Sequence, residues 1–287
     1  MTKKNSRKPK LEFTLARTAV ALTIAGSDPS GGAGLQADLK TFQQMGVYGM
    51  SVVTLLTVQN TQRVERVVPL EPELVVQQLR AVLADIRPRA IKLGALGNAA
   101  IIRSVAQELA AVNVPVVIDP VMVSKHGHSL IDDAAIESYR RDLFPNSLLI
   151  TPNRLEAEKL TGMSIRTFPD VQLAIHRLQQ MGCRQVLLKF GRIDDTYSVY
   201  LSHKNGIVRL ATPYQKSNST HGSGCVLAAY ITGLLALGAT DLTEVAEHSL
   251  VETTKAVSVA APLGRGIFPA ETRVMHNPLS EASAATD

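Results

Sequence analysis

The sequence predicts a single α/β domain built on a mainly parallel sheet. Three observations carry this: short β-branched or apolar runs alternate with longer segments of helical period, several runs are apolar at consecutive positions, and no linker, repeat or low-complexity block divides the 287 residues. Consecutive apolar positions suit strands covered on both faces. A folded body of about 250 residues is within reach of one domain of this class.

Taken in order, the first strand is expected over 19–25. It feeds the turn Gly26-Ser-Asp-Pro-Ser-Gly-Gly-Ala-Gly34, and a helix follows over 33–45. Further strands are expected over 50–58, 90–93, 115–119, 147–151 and 185–189. Helices are expected over 71–86, 98–111, 132–143, 154–162, 168–182, 222–238 and 243–260. Two runs, 197–201 and 207–211, flank His203-Lys-Asn-Gly206 and read as a hairpin, which adds an antiparallel edge. The helix at 222–238 is apolar nearly all round and rich in Gly and Ala, so it is expected at the centre, close against the sheet.

The chain is 45% apolar and 19% charged, with a formal net charge of +5. Lys3, Lys4, Arg7, Lys8 and Lys10 account for that excess, leaving 25 basic against 25 acidic residues in the rest. The basic balance belongs to a tail and argues against a nucleic-acid-binding body. The domains expected are a disordered basic tail at 1–16, one domain at 17–275 and a disordered tail at 276–287. The basic start before Ala19–Ala25 imitates a signal peptide, but Arg17 and Thr18 break the block and the run enters a functional-looking turn. No run approaches the roughly 18 apolar residues of a membrane helix. Cys183 and Cys225 form no C-x-x-C and no disulfide framework, which points to a reducing, cytoplasmic setting.

The chemistry concentrates at turns. Thr220-His-Gly-Ser-Gly-Cys225 opens the apolar helix, where glycines can aim free N–H groups at one point and the dipole adds positive charge. It is a candidate anion hole; an empty glycine-rich cap fits the hexapeptide equally well. A thiol in such a first turn is expected to have a lowered pKa, making Cys225 a candidate base or nucleophile, whereas a lone cysteine is usually packed and inert. The Gly26–Gly34 turn lacks the lysine and hydroxyl of a P-loop and fits a dinucleotide fingerprint only loosely. Asp28 and Asp38 could contact a polar ligand or simply cap and solvate a helix.

Asp119, Asn153 and Glu156 fall at strand ends, where open α/β sheets place ligands. Their oxygens suit Mg²⁺ held through waters and phosphates, although Glu156 alone reads more readily as a first-turn carboxylate complementing its helix dipole. Lys189 ends Val186-Leu-Leu-Lys and could neutralise phosphate charge or snorkel. His126-Gly-His128 would need a third ligand to hold a metal.

Read together, Ala21-Leu-Thr-Ile-Ala-Gly-Ser-Asp-Pro-Ser-Gly-Gly-Ala-Gly-Leu-Gln-Ala-Asp-Leu-Lys-Thr-Phe42 resembles the opening of the hydroxymethylpyrimidine and phosphomethylpyrimidine kinases, in the ribokinase-like superfamily. The likeness continues in order through Val58-Gln-Asn-Thr61, Ile91-Lys-Leu-Gly94, Asp119-Pro-Val-Met122, Thr151-Pro-Asn153, Glu156-Ala157, Lys189 and Thr220–Cys225. Ala95 departs from the methionine often found there, and Lys189-Phe-Gly-Arg192 from a Lys-Gly-Gly-His pattern.

The resemblance implies a three-layer α/β/α sandwich and ATP-dependent phosphorylation of a hydroxymethylpyrimidine, then of its monophosphate, in thiamine synthesis. It implies that Gly26, Asp38 and Gln59 line the pyrimidine pocket, that Asn153 and Lys189 face ATP, and that Asp119 and Glu156 organise Mg²⁺. Gly222, Ser223 and Gly224 would form the anion hole, with Cys225 as base. ATP and Mg²⁺ are the cofactors expected, with a monovalent cation an open addition, and a homodimer without nucleic-acid or membrane partners is the expected assembly. Rival readings are a pyridoxal kinase, since that vitamer also carries a hydroxymethyl on a flat ring, and a non-catalytic pyrimidine sensor.

Overall fold

The structure is a computed structural model that describes residues 18–122 and 131–278. The basic tail, the His126–His128 turn and residues 279–287 lie outside the described residues. In chain order the elements are β1 (Val20–Ser27), α1 (Gly34–Gln44), β2 (Tyr48–Gln59), β3 (Val64–Pro69), α2 (Pro72–Asp85), β4 (Ala90–Leu93) and α3 (Ala99–Leu109). They continue as β5 (Val116–Ile118), α4 (Asp133–Ser138), β6 (Leu149–Ile150), α5 (Arg154–Thr161) and α6 (Phe168–Gln180). The last are β7 (Gln185–Ile193), β8 (Thr196–His203), β9 (Gly206–Pro213), α7 (Ser223–Ala236) and α8 (Leu242–Ser258).

Among the described residues the sheet has nine strands in the order β3-β2-β1-β4-β5-β6-β7-β8-β9. From β2 to β7 every pairing is parallel, and β8 and β9 add the expected antiparallel edge. A second antiparallel strand, β3, pairs with β2 at the opposite edge and was not expected. One apolar core joins α2–α6 to one face of the sheet, and a second joins α1, α7 and α8 to the other. The result is the three-layer sandwich. Val226 through Ala236 of α7 are all buried, as an all-round apolar helix must be.

The helix expected over 132–143 departs from a single run. After Ser138 the backbone widens into a π turn at Tyr139–Leu143 and closes with a 3₁₀ turn at Phe144–Asn146 around Pro145. The widened turn lets the Tyr139 hydroxyl donate to the Gly94 carbonyl at 3.3 Å and the Arg140 guanidinium donate to the Leu160 carbonyl at the end of α5. The chain also stays in the body beyond 275: the His276 N–H donates to Glu252, and its carbonyl accepts from the Tyr230 hydroxyl.

Three breaks in strand register fall beside the loops that matter. They lie between Ala25 and Ser27, between Val58 and Gln59, and between Lys189 and Gly191. Bulges of this kind re-aim side chains at the rim of a sheet. The segment after α8 then folds back across the molecule. The Ile267 N–H donates to the Thr61 carbonyl, while Phe268 and Ala270 pair with Asn218 and His221.

Candidate active site

The loops at the carboxyl ends of the parallel strands enclose a cavity of about 880 Å³. Gly26 lies at the end of β1 before Ser27, Gln59 ends β2, Asp119 follows β5, Asn153 and Glu156 begin α5, Lys189 lies in β7, and Gly222–Cys225 open α7. All of them line this one cavity. Ala95, Thr57 and Tyr197 line it as well.

Gly222 is the N-cap of α7 and sits in the left-handed region at φ +74°. A Cβ there would strike the Gly32 carbonyl, so only glycine fits. The next amide does not point into a hole: the Ser223 N–H and hydroxyl both donate to the Thr220 carbonyl, at 3.3 and 3.0 Å. That leaves the first-turn amides of Gly224 and Cys225, which have no intrahelical acceptor. Gly224 lies close under the first ion pair: a Cβ on it would come 3.2 Å from Lys189 Nζ and 3.6 Å from Asp119 Oδ2.

Two buried ion pairs flank this helix start. Lys189 Nζ lies 2.9 Å from Asp119 Oδ1, which also accepts from Thr151 at 3.1 Å. Burial opposes both charges. The field of Lys189 and Lys92 nevertheless holds Asp119 below the usual carboxylate range, and Asp119 and Glu156 hold Lys189 above the usual lysine range. The second pair joins Lys92 of β4 to Asp38 of α1, with Thr23 donating to Asp38 at 2.6 Å. Burial would lower Lys92, but Asp38, Cys225 and Asp119 raise it, so the ammonium stays charged.

Asp38 therefore departs from its expected place against the pyrimidine. It is fully buried, its oxygens are taken by Lys92 and Thr23, and it is Lys92 that lines the cavity. A lysine inside the apolar run Ala90–Leu93 was the signal available in sequence, since a buried charge must have a partner.

Cys225 also departs from expectation. Its thiol is pushed up to about 11, the reverse of the expected lowering: burial dominates, Asp38 and Asp119 add to it, and Lys92 with a Gly34 N–H only partly offsets them. The helix dipole was the only influence visible in sequence. Glu156 is pushed up to about 7 by burial and by Asp119, against the pull of Lys189. One Glu156 oxygen accepts the Asn153 N–H at 2.7 Å, and Asn153 Oδ1 accepts the Glu156 N–H at 2.9 Å. This reciprocal cap engages Asn153 Oδ1 at the mouth of the cavity that Asn153 lines.

Asp28 closes the first glycine turn. It accepts from the amides of Ser30, Gly32 and Ala33 and from the Ser30 hydroxyl. Among the described residues no group of three or more His, Cys, Asp or Glu could hold a metal ion.

Glycine turns, a helix start and paired charges gathered at the carboxyl ends of a parallel sheet belong to a kinase of the ribokinase-like class. Solved members share the architecture. A crystal structure of phosphomethylpyrimidine kinase from Clostridium difficile is 40% identical with a TM-score of 0.73, covering 84% of this chain and 100% of that one. The pyridoxal kinase of Staphylococcus aureus, solved with AMP-PCP and pyridoxal, is 30% identical with a TM-score of 0.82, covering 90% of this chain and 94% of that one.

The family described as phosphomethylpyrimidine kinase matches residues 28–271, and this chain belongs to it. The hydroxymethylpyrimidine/phosphomethylpyrimidine kinase of Bacillus subtilis is 43% identical over 221 residues, which is 76% of this chain and 82% of that protein.

Proposed function

We propose that the chain transfers the γ-phosphate of ATP to the hydroxymethyl group of 4-amino-5-hydroxymethyl-2-methylpyrimidine, and then phosphorylates the monophosphate, in thiamine biosynthesis. The observation that carries this reading is that Gln59, Cys225 and the first-turn amides of α7 open onto the same cavity. A side-chain amide can pair with a ring nitrogen and its neighbouring exocyclic amine, which suits an aminopyrimidine. Gly26 and Gly222–Gly224 line the same cavity.

Phosphoryl transfer asks the protein mainly for alignment and charge stabilisation. The amides of Gly224 and Cys225 would receive the charge of the moving phosphoryl group, and one well-aimed donor of this kind is worth about 3–4 kcal/mol. Lys189 would neutralise nucleotide phosphates. Asn153, its side chain occupied in the cap, would hold the start of α5 under the nucleotide. Cys225 would take the hydroxyl proton, as thiolate.

Asp119 and Glu156 are buried carboxylates beside Lys189, and two carboxylates plus substrate phosphates suit Mg²⁺ better than an all-protein cage. The ion would supply neutralisation of phosphate charge when bound. A monovalent cation, a homodimer and a cytoplasmic setting without nucleic-acid partners complete the proposal. Leu56 and Val58 of β2 are half-exposed apolar side chains that a second copy would cover. Among the described residues no helix is long and apolar enough to cross a membrane.

A second reading, phosphorylation of pyridoxal, draws on the TM-score of 0.82 to the Staphylococcus aureus pyridoxal kinase. Parallel assays of both acceptors with ATP and Mg²⁺ test the two, resolving mono- from diphosphate. Pyrimidine diphosphate is the expected product; turnover of pyridoxal alone would overturn the main reading. Binding of the pyrimidine with no ATP consumed would mark a sensor.

A further inference from the structure

Asp28 and His221 stand 193 residues apart in sequence, yet His221 Nε2 lies 2.8 Å from Asp28 Oδ2 and both side chains are buried. Burial pushes the Asp28 carboxyl up, but the bonds from His221 and Ser30 outweigh it and hold it below its ordinary value. The group is thus a carboxylate. A carboxylate only accepts, so Nε2 carries the proton and donates it.

The bond does more than close a turn. Asp28 already gathers three amides and a hydroxyl of its own loop, and what His221 adds is a tie from that loop to the start of α7. The two turns meet backbone to backbone. A Cβ on Gly222 would strike the Gly32 carbonyl, and one on Gly32 would strike the His221 ring. His221 is itself anchored from behind: its N–H donates to Phe268 at 3.0 Å, and its carbonyl accepts from Ala270 at 3.2 Å. The far side of the first turn is fixed as well, with the Asp28 N–H on Gln36 and Thr57 on the Ser27 carbonyl. A buried side-chain hydrogen bond therefore joins two rigid pieces, beside the approach of the Gly34 N–H to the Cys225 thiol. The first turn brings Gly26 to the cavity, and the second brings Cys225 and the α7 amides.

We propose that Asp28 and His221 are positioning residues whose hydrogen bond registers the acceptor-side turn on the phosphate-side helix start, and so decides how much of the ATP consumed reaches the acceptor instead of water. The inference rests on the kinase reading above. In productive transfer the acceptor oxygen bonds to phosphorus, the bond from phosphorus to the ADP oxygen breaks, and the acceptor proton leaves by way of Cys225. In the leak, water takes the acceptor's place and inorganic phosphate is released. A ring-bound hydroxyl must be held about 3–3.5 Å from phosphorus, whereas water needs no turn to place it.

The experiment measures ADP formed and phosphoryl groups transferred to hydroxymethylpyrimidine, mono- and diphosphate counted separately, in the unaltered chain, His221→Leu, His221→Gln and Asp28→Asn. Acceptor phosphorylation is expected to fall at least about tenfold in His221→Leu, since a misplacement of about 1 Å can cost about 100-fold, while ADP release falls much less. His221→Gln, which reaches Asp28 with an amide donor, is expected to bring the ratio of ADP formed to phosphoryl groups transferred back toward one. A proportionate fall in both products, or no change in the ratio, overturns the inference. If His221→Leu fails to fold, Asp28→Asn carries the same comparison, and an unchanged ratio there is equally decisive against it. Absence of acceptor phosphorylation by the unaltered protein would instead overturn the kinase reading itself.

Discussion

Lys92 Nζ lies 2.8 Å from both oxygens of Asp38, and neither side chain is exposed. Two charges removed from water in this way tolerate each other only as a pair. Lys92→Met should destabilise the protein by about 3–5 kcal/mol in urea unfolding, because it strands a buried carboxylate. The double variant Lys92→Met with Asp38→Leu should recover most of that loss. A single variant as stable as the parent would show that the pair is not closed to water.

A thiol at about 11 is protonated at neutral pH, so only a small thiolate fraction is available to take a proton. Because the thiolate fraction grows about tenfold per pH unit below the pKa, turnover of the alcohol acceptor should climb through pH 7 to 9. Cys225→Ala should lower that turnover by about 10²–10⁴ with little change in KM, and should flatten the climb. The phosphate acceptor is already anionic and should suffer less from the same substitution. Equal losses for both acceptors would remove the base role.

Glu156 titrates near 7 in the folded protein against an ordinary 4.5. Its folded pKa is raised, so the stability it contributes is fully present below 4.5 and is lost as pH rises through about 7. The difference between pH 4 and pH 8 should reach about 3 kcal/mol, at 1.36 kcal/mol per unit. Glu156→Gln should remove that component from the pH dependence of urea midpoints. An identical profile in the variant would sink the assignment.

Gly222→Ala places a Cβ at φ +74° and into the Gly32 carbonyl. Strain in that region costs about 1–3 kcal/mol, so the variant should melt lower and lose phosphoryl transfer more than it loses nucleotide binding. Calorimetric titration with ADP separates the two effects.

Which parts of this were readable beforehand follows from what each depends on. Gly26, Gln59, Asp119 and Cys225 share one cavity because each lies at a strand end or opens a helix on the same side of a parallel sheet, and local pattern reveals such positions; Lys189, in the middle of β7, reaches it beside the break in register there. β3 escaped notice because Val64-Glu-Arg-Val-Val-Pro69 mixes charge with apolar residues, as an exposed edge strand does. The place of Asp38 depends on Lys92, 54 residues away, and no helical period announces that. The Cys225 thiol shows the same limit: the dipole at a helix start is local, but the burial that outweighs it comes from packing. The tie between Asp28 and His221 lay between two turns that each looked complete alone.

The return of residues 267–270 to Thr61 and His221 has a consequence for synthesis on the ribosome. Gly26, Thr57 and Gln59 of the acceptor pocket come early in the chain, yet the segment that braces Thr61 and His221 arrives only at 267–270. A nascent chain holding every strand of the sheet would still lack a finished pocket. Until residues 267–270 pair, the turn that carries Thr61 and the start of α7 lack their common brace.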